Sequence, residues 1–265
     1  MSHQDAWQLA HEAAAAYESD FVPAIMAQWP PVLAEIAGIK PGDRVLDVAC
    51  GTGVMAREAA SRMGSTGRVT GLDLNEGMLA VARRLRPDLD WRHGDAAKLP
   101  FNDSAFDAVV SQFALMFFPD RPAALREMWR VLAPHGRLAV AVCAPLAHSK
   151  GYTELARILR REAGDGAAAM MEGYFAHGEP AQLQELCKAA GIVGAGVLTH
   201  EGWARFASID ELVRIEISGS PIAGLVDPTS YQKVLQAARQ ELRDFCDGQG
   251  RVSMRLDATI VTAGK

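Results

Sequence analysis

The chain reads as an α/β fold built on a doubly wound, mostly parallel sheet. Three observations carry that reading. VLDVACGTG (45–53) is an apolar run that ends in an acid and a glycine turn. RVTGLDLN (68–75) is a second apolar run closed by an aspartate. Strand-like and helix-like segments then alternate over about a hundred residues, the pattern of a parallel sheet wrapped in helices.

In chain order, residues 4–38 read as helical, with Trp7, Leu9, Ala13 and Ala14 and then Phe21 to Trp29. Pro30-Pro31 breaks the run, and Lys40-Pro41-Gly42-Asp43 turns into the first strand. Val45, Leu46 and Val48 suit a buried strand. Gly51 and Gly53 suit a tight turn whose N–H groups approach a ligand closely. Val54 to Met63 reads as a helix with its N-terminus facing the same ligand. Together these imply a nucleotide-type cofactor. The turn lacks the G-x-G-x-x-G fingerprint of dinucleotide sites, since Val54, Met55 and Ala56 follow, and no P-loop lysine is present. Asp47, just before the turn, would repel a pyrophosphate and favour a positive or hydrogen-bond-donating group.

Asp73 ends the second strand, where an acid takes both hydroxyls of a ribose. WRHGDAAKLPF (91–101) reads as a short third strand followed by Gly94 and Asp95, and FDAVVSQFALMFF (106–118) as a fourth. PAALREMWRVLAP (122–134) is a helix with Leu125, Met128, Trp129 and Leu132 on one face. His135-Gly136 leads into a fifth strand, RLAVAVCA (137–144). Residues 147–182 are rich in Ala, Gly and Met, with helices expected at 151–162 and 166–175. A helix at 181–190 ends on Gly191 as its C-cap, a sixth strand lies within 193–206, and 208–246 is helical. RVSMRLDATIVTAGK (251–265) alternates and reads as one last strand.

The ordered set VLDVACGTG, GLDLN, GDAAKLPF, FDAVVSQFALMFF and LREMWRVLAPHGRLAVAV resembles the class I S-adenosylmethionine-dependent methyltransferases. Within them it is most similar to the group related to the quinone-biosynthesis C-methyltransferases. The resemblance covers 40–145 strongly and 186–264 weakly. One departure is Ala49, where many members carry the first of three glycines. The resemblance implies a single methyltransferase domain over 1–265 with a Rossmann-like, seven-stranded sheet, the last strand antiparallel between the fifth and sixth. It also implies a helical N-terminal cap (4–38), a cofactor-binding half (40–145) and helical lid segments at 147–182 and 208–246. The implied cofactor is S-adenosyl-L-methionine. Asp47 would accept a bond at its methionine end, and Gly51 and Gly53 would bring backbone close. Asp73 would take the ribose hydroxyls, and Leu74 and the polarisable Met78 would flank the adenine. Asp95 would accept from the adenine amine beside the Ala96 backbone N–H, with Gly94 also among the cofactor residues, while Gln112 and Phe113 would face the methionine end.

Composition fits this expectation. A chain of 265 residues holds one large α/β domain with an insertion. A net charge of −5 and the lack of a sizeable Lys/Arg cluster argue against a nucleic-acid partner. The four cysteines show neither CxxC nor zinc spacing, so buried thiols and no metal site are expected. No targeting segment or membrane-length apolar run is read, which points to a cytoplasmic enzyme without stable membrane insertion. Its expected partner is a small-molecule methyl acceptor; a homodimer stays open.

Methyl transfer needs the acceptor held in line with the donor carbon, and a base only where the acceptor loses a proton. The catalytic candidates are His148, just after the fifth strand, and Tyr17, which with Glu18 forms a Tyr-Glu pair often near the cofactor in similar chains. Tyr152, Glu172, Tyr174 and His177 lie in the first lid segment, and His200 and Trp203 near the sixth strand. Met170, Met171, Phe175 and Ile222 among the lid's apolar side chains suit an apolar or aromatic small molecule, methylated on O or C. The alternatives are a family member that binds the cofactor but catalyses another step, such as cyclisation, and a non-catalytic cofactor-binding protein.

Overall fold

A computed structural model of the chain describes residues 11–265; Trp7 and Leu9, expected in the N-terminal helix, lie outside the described residues. The strands are β1 (Arg44–Val48), β2 (Arg68–Asp73), β3 (Asp90–His93), β4 (Phe106–Gln112), β5 (Leu132–Cys143), β6 (Gly196–His200), β7 (Trp203–Phe206), β8 (Val252–Arg255) and β9 (Ala258–Gly264). Seven of them form one sheet in the order β3-β2-β1-β4-β5-β9-β6. β1 to β5 pair parallel, and β9 lies antiparallel between β5 and β6. The central strands are buried on both faces, as a parallel sheet covered by helices requires.

The helices are α1 (His11–Ala16), α2 (Trp29–Ile36), α3 (Val54–Met63), α4 (Glu76–Leu85), α5 (Arg121–Val131), α6 (Lys150–Ala163), α7 (Asp165–Gly173), α8 (Pro180–Ala189), α9 (Ile209–Ser218) and α10 (Pro228–Glu241). Side-chain caps fix several of their starts. Asn75 accepts from the Met78 N–H ahead of α4, Asp120 from Ala123 ahead of α5, Ser208 from Glu211 ahead of α9, and Asp227 from Thr229 and Ser230 ahead of α10.

Four expectations need correction. The fourth strand stops at Gln112, because Phe113 turns to φ +52° and a short 3-10 turn, Leu115–Phe117, follows. The helix expected to reach 134 ends at Val131: Pro134 disfavours helical backbone before it, and Leu132 already pairs with Phe106. The stretch 251–265 splits at Leu256-Asp257 into β8, which pairs with β7 in a separate ribbon, and β9 in the main sheet. Buried Asp257 accepts from Arg255 and from the Gly202 N–H at that corner. Between α1 and α2 the chain is wound as a π-helix, Tyr17–Met26, around Pro23, which has no N–H to donate. Wide i→i−5 bonding survives at its end, where Ala27 N–H meets Val22 O at 2.9 Å. Ile25, Trp29 and Leu33 from this region pack fully buried in the core.

α6, α7, α9 and α10 pack through apolar faces, with Leu155, Ile158, Met171, Leu212, Val213 and Val234 all in the same buried cluster. Tyr152 of α6, Tyr174 at the end of α7 and Glu216 of α9 share one cavity with Gln112 and Cys143 at the C-terminal ends of β4 and β5, where crevices in such sheets take ligands.

Candidate active site

Register places the site. β1 and β2 run in step, with Asp47 opposite Gly71 and Val48 opposite Leu72. The chain turns sharply after β1: Ala49, Gly51 and Gly53 all have positive φ (+57°, +55° and +88°). The turn is tied to the end of β2, since Asp73 accepts from the Gly51 N–H and from the Asn75 N–H, both at 2.7 Å. It is tied to the N-terminal helix by Arg57, which donates to Thr52 O at 2.7 Å and to Glu18 at 2.6 Å.

A cavity opens above this turn, with about 1450 Å³ of space including its mouth. Asp73, Leu74, Asn75 and Met78 line one end with Gly94, Asp95 and Ala96; Ala49, Gly51, Gln112 and Phe113 line its floor. The far end is aromatic: Tyr17 stacks on Phe21 at 5.0 Å, Phe117 meets Tyr174 edge-on at 5.8 Å, and Tyr152 leans on Phe175 at 5.3 Å. The charged residues in this lining are Asp73, Asp95 and Glu216; it contains no Lys, Arg or His among the described residues.

The two turn glycines differ. A Cβ on Gly51, which lines the cavity, would meet nothing within 4 Å, so the missing side chain leaves room for a ligand. A Cβ on Gly53 would collide with the Trp91 indole, which also covers Gly71. Gly53 is absent from the cavity wall, so its bareness serves the packing of Trp91.

Asp47 is 1% exposed and neither carboxylate oxygen has a hydrogen-bond partner. Burial pushes its carboxyl up to about 7, and the charge of Asp73 adds repulsion. It lies behind the cavity wall. Asp73 is likewise pushed upward by burial, opposed by its bonds to Asn75 and Gly51. An orphaned buried acid, a bare glycine facing open space and a lining with acids and no cationic side chain among the described residues fit a ligand that carries positive charge and a ribose.

The cavity gathers all the sequence-predicted cofactor residues except Asp47 and Gly53. Of the two catalytic candidates it holds Tyr17, half-buried, its phenol pushed upward by burial and then by Glu18 and Asp73. His148 ends an exposed 3-10 turn, Leu146–His148, outside the lining. Tyr152 and Tyr174 line the cavity. Glu172 pairs with Arg160, and His177, its imidazole pushed downward by burial and by Arg121, lies outside. His200 is exposed beside Trp29, and Trp203 is 40% exposed. Ile215, Ile217 and Ile222 are core residues. Sequence reasoning missed Glu216. Its signal was present: Leu212, Val213 and Glu216 share one helical face, so an acid occupies a core position.

Comparison with known proteins agrees with this architecture. Residues 46–140 match the family model described as a methyltransferase domain. That stretch holds β1 to β4 and most of β5, the parallel part of the seven-stranded sheet. It is 42% identical over 118 residues to the 2-phytyl-1,4-naphtoquinone methyltransferase of Synechococcus elongatus, covering 42% of this chain and 51% of that one. It is 44% identical over 114 residues to the demethylmenaquinone methyltransferase of Renibacterium salmoninarum, covering 43% and 47%. The matched stretch thus spans about half the length of these relatives. Among solved structures, YcgJ of Bacillus subtilis superposes with a TM-score of 0.61 at 18% identity, covering 90% of this chain and 98% of that one. Phosphoethanolamine N-methyltransferase 2 of Haemonchus contortus, in complex with S-adenosyl-L-methionine, superposes with a TM-score of 0.62 at 20% identity, covering 97% and 57%. No helix among the described residues is long and apolar enough to cross a membrane.

Proposed function

We propose that the chain is an S-adenosylmethionine-dependent methyltransferase for a small, largely apolar or aromatic metabolite, with a quinone-type ring, in its hydroxylated form, as the preferred class. The observation that carries the reading is the cavity lined by acids and by no Lys, Arg or His among the described residues, with Asp73 at the tip of β2 and bare Gly51 beside it. When bound, the cofactor supplies a methyl group on a positively charged sulfur that becomes a neutral thioether on transfer.

Asp73, fixed by two backbone N–H groups, offers its remaining lone pairs to the ribose. Leu74 and Met78 offer apolar surface to the adenine, and Asp95 accepts from its amine. The acid of Asp47, without a partner of its own, favours the cationic end from behind the turn. The aromatic half of the cavity excludes water and orients a flat acceptor. A quinone ring itself is electron-poor; its dihydroxy form is the nucleophile that can attack a methyl group. Tyr17 contacts the cofactor or the acceptor in this reading. The exposed His148 has no place in it.

The test is incubation with S-adenosyl-L-methionine and a panel of dihydroxynaphthalenes, hydroxylated quinones and simple phenols, read by mass spectrometry. Gain of one methyl by a hydroxylated aromatic is expected. Cofactor binding without methyl transfer to any member of the panel would count against the substrate class.

A further inference from the structure

Methylation of a neutral O–H or C–H acceptor releases one proton, and this cavity is apolar and without histidine or lysine among its described lining residues. The proton needs a receiving group. Asp73 is occupied by two backbone N–H groups, and Asp95 accepts from the Ala97 N–H at 2.9 Å at the same end of the cavity. Glu216, on α9, is the third acid. It is 2% exposed, lies among the aromatic residues of the far end, and lines the cavity. Among the described residues its carboxyl has one hydrogen-bond partner, the Tyr152 hydroxyl, which donates to Oε1 at 2.5 Å.

We propose that Glu216 receives the hydroxyl of a hydroxyaromatic acceptor and takes up its proton during methyl transfer, a role that rests on the methyltransferase reading above. The Tyr152 hydroxyl holds one oxygen of the carboxylate and leaves lone pairs on the group for an incoming O–H. In the step, the acceptor O–H bond breaks, the proton goes to Glu216 and the electron pair stays on the acceptor. That pair forms the new bond to the methyl carbon, through oxygen or through the ring carbon beside it. The carbon–sulfur bond breaks with its pair left on sulfur. On the carbon route the ring proton returns to the oxygen, so one proton in all passes to Glu216. A negative carboxylate and a positive sulfonium become a neutral acid and a neutral thioether, which an apolar cavity favours.

The surroundings match a base that works near neutrality. Facing the Glu216 carboxyl are Tyr152 from α6, Tyr174 at the end of α7 and Cys143 at the end of β5, while the Ser220 hydroxyl, just past α9, donates to the Glu216 backbone carbonyl. The two tyrosines and the cysteine are all pushed upward, burial first, and so stay neutral. No cation among them holds the carboxylate charged. Burial pushes Glu216 up to about 7, with the Tyr152 hydrogen bond opposing, which suits general-base work at neutral pH.

The experiment uses the full chain loaded with S-adenosylhomocysteine, with 1-naphthol and 1-methoxynaphthalene as paired probes in calorimetry. Near pH 8 the wild type is expected to bind the naphthol roughly tenfold more tightly than its ether, as befits a hydrogen bond to a charged group. Naphthol affinity is expected to rise as pH climbs through about 7, because the ionised carboxylate is the acceptor. Glu216→Leu should erase the hydroxyl preference. Glu216→Gln, which keeps an oxygen for Tyr152, should flatten the pH dependence, and both should keep the wild-type affinity for S-adenosylhomocysteine. Equal binding of the two probes, binding of neither, or an unchanged pH course in Glu216→Gln overturns the role of Glu216. Failure of the wild type to bind S-adenosylhomocysteine overturns the methyltransferase reading and this role with it.

Discussion

Ala49 and Phe113 are held at positive φ on the floor of the cavity, a backbone region that costs an L-residue about 1–2 kcal/mol. Ala49→Gly relieves the strain but loosens the unfolded chain, so a net gain near 0.5–1 kcal/mol in urea stability is expected; a lower urea midpoint would contradict the strain. Gly51→Ala and Gly53→Ala should separate the two glycines. The first, with open space before it, should fold and lose cofactor affinity. The second drives a methyl into the Trp91 ring and should cost about 2 kcal/mol or more of stability. Asp47 gives a pH signature. Its folded pKa of about 7 lies well above the ordinary aspartate range, so its stabilising contribution is complete at low pH and is lost as pH rises through about 7. Asp47→Asn should therefore gain about 2–4 kcal/mol over wild type near pH 8, little near pH 4, and bind the cofactor more weakly. Parallel urea midpoints of wild type and variant at both pH values would show that Asp47 is not destabilised.

At the scale of elements, the β1 and β2 tips hold the cofactor reading and the α6–α7 and α9–α10 helices hold the acceptor reading. Hydrogen exchange should register that division: S-adenosylhomocysteine alone protects residues 45–53 and 71–78, and a bound aromatic adds protection in 147–182 and 209–222. Protection spread evenly over the sheet would contradict it. The strands β1, β2, β4 and β5 were readable because each is a local apolar run with its own acid or glycine punctuation. The break between β8 and β9 was not, because alternation continues through Leu256-Asp257; the corner is imposed by partners distant in sequence, Gly202 and Trp203 on β7's side. The π-helix at Tyr17–Met26 also escaped, since a proline in an apolar helical run signals a kink but not the wider winding that follows.

For the whole molecule, most of the proposed cofactor end was legible because its residues sit at or just past the ends of four consecutive strands, β1 to β4. The acceptor end was legible only as a region. Glu216, the acid proposed to serve it, lies about 200 residues from Tyr17 and 64 from Tyr152, and only the fold brings them to one cavity. His148 attracted notice by position in the chain, yet the fold leaves it exposed. The net charge of −5 and the basic-free cavity together favour a cationic small ligand over an anionic one. The central claim is that this cavity binds S-adenosyl-L-methionine through Asp73, and calorimetric titration of wild type and Asp73→Ala tests it most directly. One binding event per chain is predicted for wild type, weakened by roughly 1.5–3 kcal/mol in the variant, the range for a hydrogen bond to a charged group. No binding by the wild type, or equal affinity in the two proteins, would contradict the account.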